Sequence, residues 1–242
     1  MNPLRCLSIL ACALLAATGT FAAEADAIIA RARAYLGTEA ALDSVKSLRF
    51  TGTFAVDAEN RGTIVITLKK SFQQRIERTK GDVREVVALD QFDGWSRSED
   101  ITNPEDWRLT LLTRDHIKRL QANNVENLNF FKGAERRGGT VEVRGEATID
   151  GVDCVKLVFI HSPEIEFIRY FDKANGRLVM TETETGGQIR ERGEQFVSGI
   201  RFPRSLESTL DGITNIISFE AIEVNGDYPD SLFAVPSVMP AP

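Results

Sequence analysis

Short runs in which apolar and polar residues alternate occupy most of this chain. In the first run, Leu48, Phe50, Phe54 and Val56 share one face with Gly52, and polar or small residues share the other. Successive side chains of a β-strand point to opposite sides, so each run predicts a strand with one buried face. Similar runs fill residues 63–89 and 140–224 and are separated by short polar turns. This spacing predicts an antiparallel meander.

Two segments change to a helical period. Glu24 to Val45 places apolar residues on one stripe, and Gly37-Thr38 interrupts it, which predicts two short helices or a kinked one. Asn103 as a cap, followed by Pro104 in the first turn, predicts a second helical segment that ends at about Asn123. The basic stretch that follows it is expected to be irregular, and its Arg136-Arg137 pair suits either a solvated loop or contact with acidic headgroups.

About twelve strands with two helical segments predict a mainly β (α+β) protein built on one large antiparallel sheet. Twist accumulates across so many strands, so the sheet must curve, and helices can then cover its concave face. No break in composition marks a second domain. We therefore expect a single domain over residues 24–228, followed by an extended, Pro-rich C-terminal tail over residues 229–242.

The N-terminus has the order of charge and hydropathy that is typical of an export signal. Arg5 precedes an uncharged run from Cys6 to Ala23 that ends in small residues. This order predicts a signal peptide over residues 1–23 and a mature protein in the periplasm or outside the cell. Two alternatives are a transmembrane anchor and lipid attachment at Cys12, which ends a sequence similar to a lipoprotein processing box.

Composition argues against several classes of function. The chain carries 29 basic and 35 acidic residues, with a net charge of −6. This balance argues against nucleic acid as the main partner, because binding a phosphate backbone requires clustered positive charge. The only histidines, His116 and His161, lie far apart in sequence, so a metal site around them is not expected. No P-loop or nucleophile elbow is present, so we expect no cofactor and no catalysis. A carboxylate pair such as Glu164 and Glu166 leaves a glycosidase as an alternative.

Several strand and turn segments, taken in order, carry a family resemblance. They are Ser47–Gly52, Phe92–Trp95 with an Asp-Gly turn, Ile149–Leu157, Tyr170–Leu178, Phe202–Ser205 and Asp230–Phe233. Together they resemble the LolA/LolB-like superfamily of outer-membrane lipoprotein-sorting proteins. The resemblance implies an unclosed β-barrel of about eleven strands, with helices as a lid over an apolar cavity. Members of that superfamily carry lipoprotein acyl chains or other lipids, and relatives sense envelope stress.

The expected function is therefore that of a periplasmic carrier, with lipid or lipoprotein acyl chains as its partners. The alternative is a non-catalytic sensor or scaffold that binds an envelope protein. Neither nucleic acid nor stable membrane insertion after signal cleavage is expected. The apolar residues expected to line the cavity are Phe50, Phe54, Ile64, Ile66, Leu68, Trp95, Trp107, Leu111, Leu112, Phe130 and Phe131. For each of them, a place in a dry core is the alternative interpretation.

Overall fold

The computed structural model describes residues 23–103 and 105–237. The predicted export signal, apart from its last residue, lies outside the described residues. Helix α1 covers residues 23–36, α2 is Glu39–Asp43 and α3 is Arg114–Asn129. Single 3₁₀ turns are formed by Glu135–Arg137 and Asp230–Leu232. In the part of the chain that is described, no helix is long and apolar enough to cross a membrane.

Fifteen β-strands are present in the described residues. They are β1 (Ser47–Ala55), β2 (Arg61–Lys69), β3 (Gln73–Lys80), β4 (Val83–Asp90), β5 (Asp93–Asp100), β6 (Trp107–Leu111), β7 (Thr140–Ile149), β8 (Val152–Ser162), β9 (Ile165–Asp172), β10 (Leu178–Thr183), β11 (Gln188–Arg192), β12 (Gln195–Val197), β13 (Ile200–Phe202), β14 (Ser205–Leu210) and β15 (Ile213–Val224).

Thirteen of these strands form one antiparallel sheet in the order β6-β5-β4-β3-β2-β1-β15-β14-β11-β10-β9-β8-β7. The first and last strands of the sheet, β6 and β7, do not pair with each other, so it remains open. The helices cover its concave face. The predicted mainly β fold, with one large unclosed antiparallel sheet, is confirmed. The two remaining strands, β12 and β13, form a separate hairpin that connects β11 to β14.

The break predicted in the first helical segment is confirmed at Gly37-Thr38. Gly37 pairs with Ile200 of the small hairpin, and a Cβ at Gly37 would lie 2.7 Å from the Gly199 carbonyl oxygen. Thr38 then caps α2, because its Oγ1 accepts a hydrogen bond from the Ala41 amide at 3.2 Å. A chain that must approach another backbone this closely favours glycine.

The helix predicted from Asn103 to about Asn123 is wrong in its first half. Asn103 begins a turn in which its carbonyl accepts a hydrogen bond from the Asp106 amide at 2.9 Å. The chain then returns as β6, in which Trp107 pairs with Glu99. The helix begins only at Arg114, because Thr113 has extended backbone angles and its side chain accepts a hydrogen bond from the His116 amide. Asn and Asp with Pro suit turns as well as helix starts, and the pairing with β5 decides between them.

Two predicted hairpins are confirmed, and one predicted turn is wrong. Asp150-Gly151 and Asp211-Gly212 both have positive φ angles and connect adjacent paired strands, as two-residue turns require. The expected Asp-Gly turn at Asp93-Gly94 lies inside β5 instead, and the chain turns at Gln91 and Phe92. Gly94 serves packing, since a Cβ there would lie 2.8 Å from the Ile117 side chain of α3.

Two apolar clusters form the core between the helices and the concave face. One joins Ile28 and Ile29 of α1 to Leu157 and Phe159 of β8, and the other joins Leu42 of α2 to strands near the middle of the sheet. The outer face is covered by the chain after β15. There Phe233 is fully buried, and its carbonyl accepts a hydrogen bond from the Trp95 indole at 2.8 Å. Residues 229–237 of the predicted tail thus include a packed segment.

Candidate functional site

Strand register places five of the predicted cavity residues on the concave face. Phe50 pairs with Ile66 and Leu48 with Leu68, while Phe54 and Ile64 belong to the same alternation along β1 and β2. Ile64 and Leu68 are fully buried, and Phe50 and Ile66 are half-buried. The structure therefore brings these five side chains onto one face, with Leu68, Phe50 and Ile66 packed in the cluster that includes Leu42 of α2 and Leu128 of α3.

Trp95, Trp107 and Leu111 lie on the opposite, outer face of the sheet. Trp95 pairs with Ala88 on one side and with Leu111 on the other, and Ala88 pairs in turn with Arg75. Paired residues share a face of the sheet, and this face points away from α3. Trp95 is buried beneath the C-terminal segment, whereas Leu111 is 68% exposed and Trp107 39% exposed. The expectation that Trp107 and Leu111 lie on a helix over the cavity is wrong, because β6 replaces the first half of that helix. Trp95, expected to line the cavity from a neighbouring strand, lies on the outer face.

The remaining predicted residues flank α3. Leu112 precedes the helix and is half-buried beside Gly94. Phe130 and Phe131 follow the helix with positive φ angles and separate into the two core clusters. The Phe131 ring meets Phe171 edge-on, with centroids 5.0 Å apart. Their contacts are those of core residues in the described chain.

A row of half-buried apolar side chains crosses the concave face. Phe219, Phe50, Ile66, Ile76 and Val87 are neighbours on five adjacent strands, and we call them the apolar row. The rings of Phe50 and Phe219 are 5.0 Å apart. Neighbouring apolar side chains that keep part of their surface exposed offer a surface on which a hydrophobic ligand can be buried.

Helix α3 is fixed alongside this row by polar contacts to strand ends. Asn124 donates a hydrogen bond to the Gln73 carbonyl at 2.9 Å, and Gln121 donates one to the Gln91 carbonyl at 2.7 Å. Both acceptors lie at the same end of the sheet, next to the β2–β3 and β4–β5 turns. The helix therefore lies over the ends of the strands and leaves the apolar row partly exposed.

An ion cluster joins the inner side of α3 to the far half of the sheet. Glu126 is 4% exposed and receives a charged hydrogen bond from Arg169, while His161 Nε2 lies 2.7 Å from its other oxygen. Burial works to raise the pKa of the Glu126 carboxyl, but Arg169 and His161 outweigh it and leave that pKa lowered. Sequence reasoning missed this cluster, although a carboxylate between the buried Val125 and Leu128 of a helix was a visible signal.

The pKa of a second carboxyl on the concave face, that of Glu191, is shifted in the opposite direction. Glu191 of β11 pairs with Leu206, Leu206 pairs with Ile217, and Ile217 pairs with Phe54. Glu191 therefore lies on the same face of the sheet as Phe54. Burial raises the pKa of Glu191 to about 7, and the positive charges of Arg169 and Arg177 only partly oppose it. The group therefore changes charge near neutral pH inside the concave face.

Several buried polar atoms of the concave face lack a hydrogen-bond partner among the described residues. They are Gln74 Nε2, Arg78 Nε, Arg169 Nε and Asn215 Oδ1, all on strands whose register points them to the helix-covered side. Buried polar atoms are nearly always paired in folded proteins, so four unpaired atoms on this face are unusual.

No protein-family model matches the sequence, and no curated protein is similar to it. Solved structures do match. A DUF1329 family protein from Desulfovibrio piger has a TM-score of 0.55 at 10% identity, covering 86% of this chain and 96% of that one. A LolA superfamily protein from Nitrosomonas europaea has a TM-score of 0.54 at 12% identity, covering 87% and 97% of the two chains. This chain therefore shares the fold of a LolA superfamily protein over most of its length, as the resemblance in its sequence predicts.

Proposed function

We propose that this chain is a non-catalytic periplasmic binding protein that holds lipid or lipoprotein acyl chains on its concave face. The apolar row carries this proposal, because it offers half-buried apolar surface beside a helix that contacts the sheet chiefly at strand ends. Each methylene group moved from water to such a surface contributes about 0.8 kcal/mol. The shared fold and the export signal predicted from the sequence support the same role.

The experiment is native mass spectrometry of the mature protein purified from the periplasm of its own host, followed by lipid extraction. We expect a lipid bound in stoichiometric amount. A protein that carries no lipid, and that binds no fluorescent fatty-acid probe in titration, would contradict the proposal.

Two neighbouring residues of β2 provide a matched pair of variants. Ile66 and Val65 are both half-buried, but Ile66 belongs to the apolar row and Val65 lies on the outer face. Burying the remaining half of an isoleucine is worth about 1 kcal/mol, so Ile66→Asn is expected to weaken binding about fivefold. Val65→Asn should leave the affinity unchanged, and equal losses in both variants would place the ligand elsewhere.

A second candidate function, that of a sensor or scaffold that binds a protein, is supported by an exposed apolar edge of the sheet. The β5–β6 hairpin exposes Ile101, Trp107 and Leu111 at an edge of the sheet, and exposed strand edges pair readily with other polypeptides. This function would be favoured over the carrier if the wild-type protein is free of lipid and co-purifies with one polypeptide, and if the Leu111→Lys variant does not retain that polypeptide.

A further inference from the structure

A cleft of about 530 Å³ opens beside the C-terminal half of α3. It lies between the end of α2, the turn that connects β2 to β3, and the loop after α3. Its floor is apolar and is formed by Leu42, Phe72, Val125 and Leu128. Leu42 and Leu128 belong to the core cluster against which Phe50 and Ile66 pack, so the cleft adjoins the apolar row through shared side chains.

The rim of the cleft is positively charged. Lys70 and Arg136 line it, and within the described ranges neither side chain has a hydrogen bond or an ion pair. Arg137 lies over the Phe72 ring, 4.2 Å from its centroid, and donates only to the neutral amide oxygen of Gln121 at 3.4 Å. Among the described residues, these three cations thus face the cleft without an ion pair to a carboxylate, although Asp43 lines the same cleft.

The other charged residues of the lining are already paired. Asp43 receives a hydrogen bond from the buried Arg33 at 2.6 Å, and Lys132 forms an ion pair with Glu39 at 2.5 Å. Burial lowers the pKa of the Lys70 ammonium, Asp43 works to raise it, and Arg33 adds to the lowering. This positive cleft stands out on a chain whose net charge is −6.

We propose that the cleft binds the phosphate of an anionic phospholipid headgroup through Lys70, Arg136 and Arg137. This inference rests on the proposed lipid-binding function and names the class of headgroup. Guanidinium and ammonium groups form short, charge-assisted hydrogen bonds with phosphate oxygens, and the stacked Arg137 holds its donors in a defined plane. The apolar floor then contacts the glycerol and the first methylene groups, with the acyl chains continuing toward the apolar row.

The test compares two lipids that differ in headgroup charge, dihexanoyl phosphatidylglycerol and dihexanoyl phosphatidylcholine, each titrated as monomers by calorimetry. The wild-type protein should prefer the anionic lipid by about tenfold. The triple variant Lys70→Gln/Arg136→Gln/Arg137→Gln should lose that preference, with the affinity for phosphatidylglycerol falling by at least about tenfold and more than the affinity for phosphatidylcholine. Equal affinity of the wild-type protein for both lipids would overturn the proposal.

A second triple variant controls for the change in net charge. Arg61, Arg114 and Arg204 are exposed, lie outside the cleft and form no ion pair in the described chain, so their replacement by Gln should leave the preference intact. If this control variant loses the preference equally, the effect is one of total charge and the cleft is not the site.

Inorganic phosphate separates this inference from the proposed function. Phosphate should shift the backbone amide NMR signals of Ser71 and Gly133, and the cleft triple variant should abolish the shifts. If neither lipid binds while phosphate still shifts these signals, lipid binding fails and the oxyanion site stands. If neither the lipids nor phosphate binds, both proposals fail.

Discussion

Replacing Glu126 is the most informative perturbation of the ion cluster that joins α3 to the sheet. Its carboxylate is buried against Arg169, which is itself only 7% exposed. The Arg169 guanidinium also stacks on the Phe159 and Phe131 rings, at 4.7 and 4.9 Å from their centroids. We predict that Glu126→Leu leaves a buried positive charge that no other described carboxylate bonds.

Removing one partner of a buried ion pair costs about 3–5 kcal/mol, because the remaining charge is desolvated without compensation. Both Glu126→Leu and Arg169→Met should therefore lower the free energy of unfolding by about this amount. The double variant Glu126→Leu/Arg169→Met replaces the pair with apolar side chains of similar size, and its stability should approach that of the wild-type protein.

Urea denaturation followed by circular dichroism measures these differences. The exposed pair of Glu142 and Arg144, with a nitrogen–oxygen distance of 2.9 Å, provides the control, and Glu142→Leu should cost less than about 1 kcal/mol. A cost below about 1 kcal/mol for Glu126→Leu, or additive losses in the double variant, would refute the reasoning that this cluster fastens the helix to the sheet.

The same variants also test the direction in which the free energy of unfolding changes with pH. Because the pKa of Glu126 is lowered in the folded protein, its stabilising contribution is complete above the pKa of an unfolded glutamate, about 4.3, and is lost as the pH falls through the folded value. The wild-type protein should therefore lose stability in acid more steeply than Glu126→Leu. Parallel acid profiles of the two proteins would contradict this sign.

Three further predictions concern separate parts of the molecule. The pKa of Glu191 is raised to about 7, so the folded state binds a proton that the unfolded state releases between about pH 4.3 and 7, and stability should fall as the pH rises through that window. Glu191→Gln should flatten this fall in thermal scans between pH 5 and 8, and unchanged scans would contradict it. Phe233→Ala should cost about 3–5 kcal/mol in urea denaturation, because the ring is fully buried, whereas Val235→Ala, at an exposed position of the same segment, should cost less than about 1 kcal/mol. Gly94→Ala should cost about 1–3 kcal/mol in the same assay, since its Cβ would lie 2.8 Å from Ile117, and a neutral result would show that α3 moves away freely.

The candidate site divides into parts that local sequence predicts and parts that it does not. Phe50, Ile64 and Ile66 were expected to line one cavity, and the register of β1 with β2, which a short turn sets, places them on one face. Trp107 was predicted on a helix, because Asn103 and Pro104 also suit a helix start. Only the pairing of β6 with β5 excludes that helix, because the polar residues between the two strands suit a turn and a helix start alike.

The sequence by itself determined the alternation that makes strands, the Asp-Gly hairpins and the break at Gly37-Thr38, since each depends on the backbone preferences of a few adjacent residues. Tertiary structure alone decided which side of each strand became the concave face, and so separated Trp95 from the apolar row. It also brought Glu126 to His161 and Arg169, which lie 35 and 43 residues further along the chain. Contacts at such distances arise from the packing of a whole helix on a whole sheet, and a local pattern of residues does not encode them.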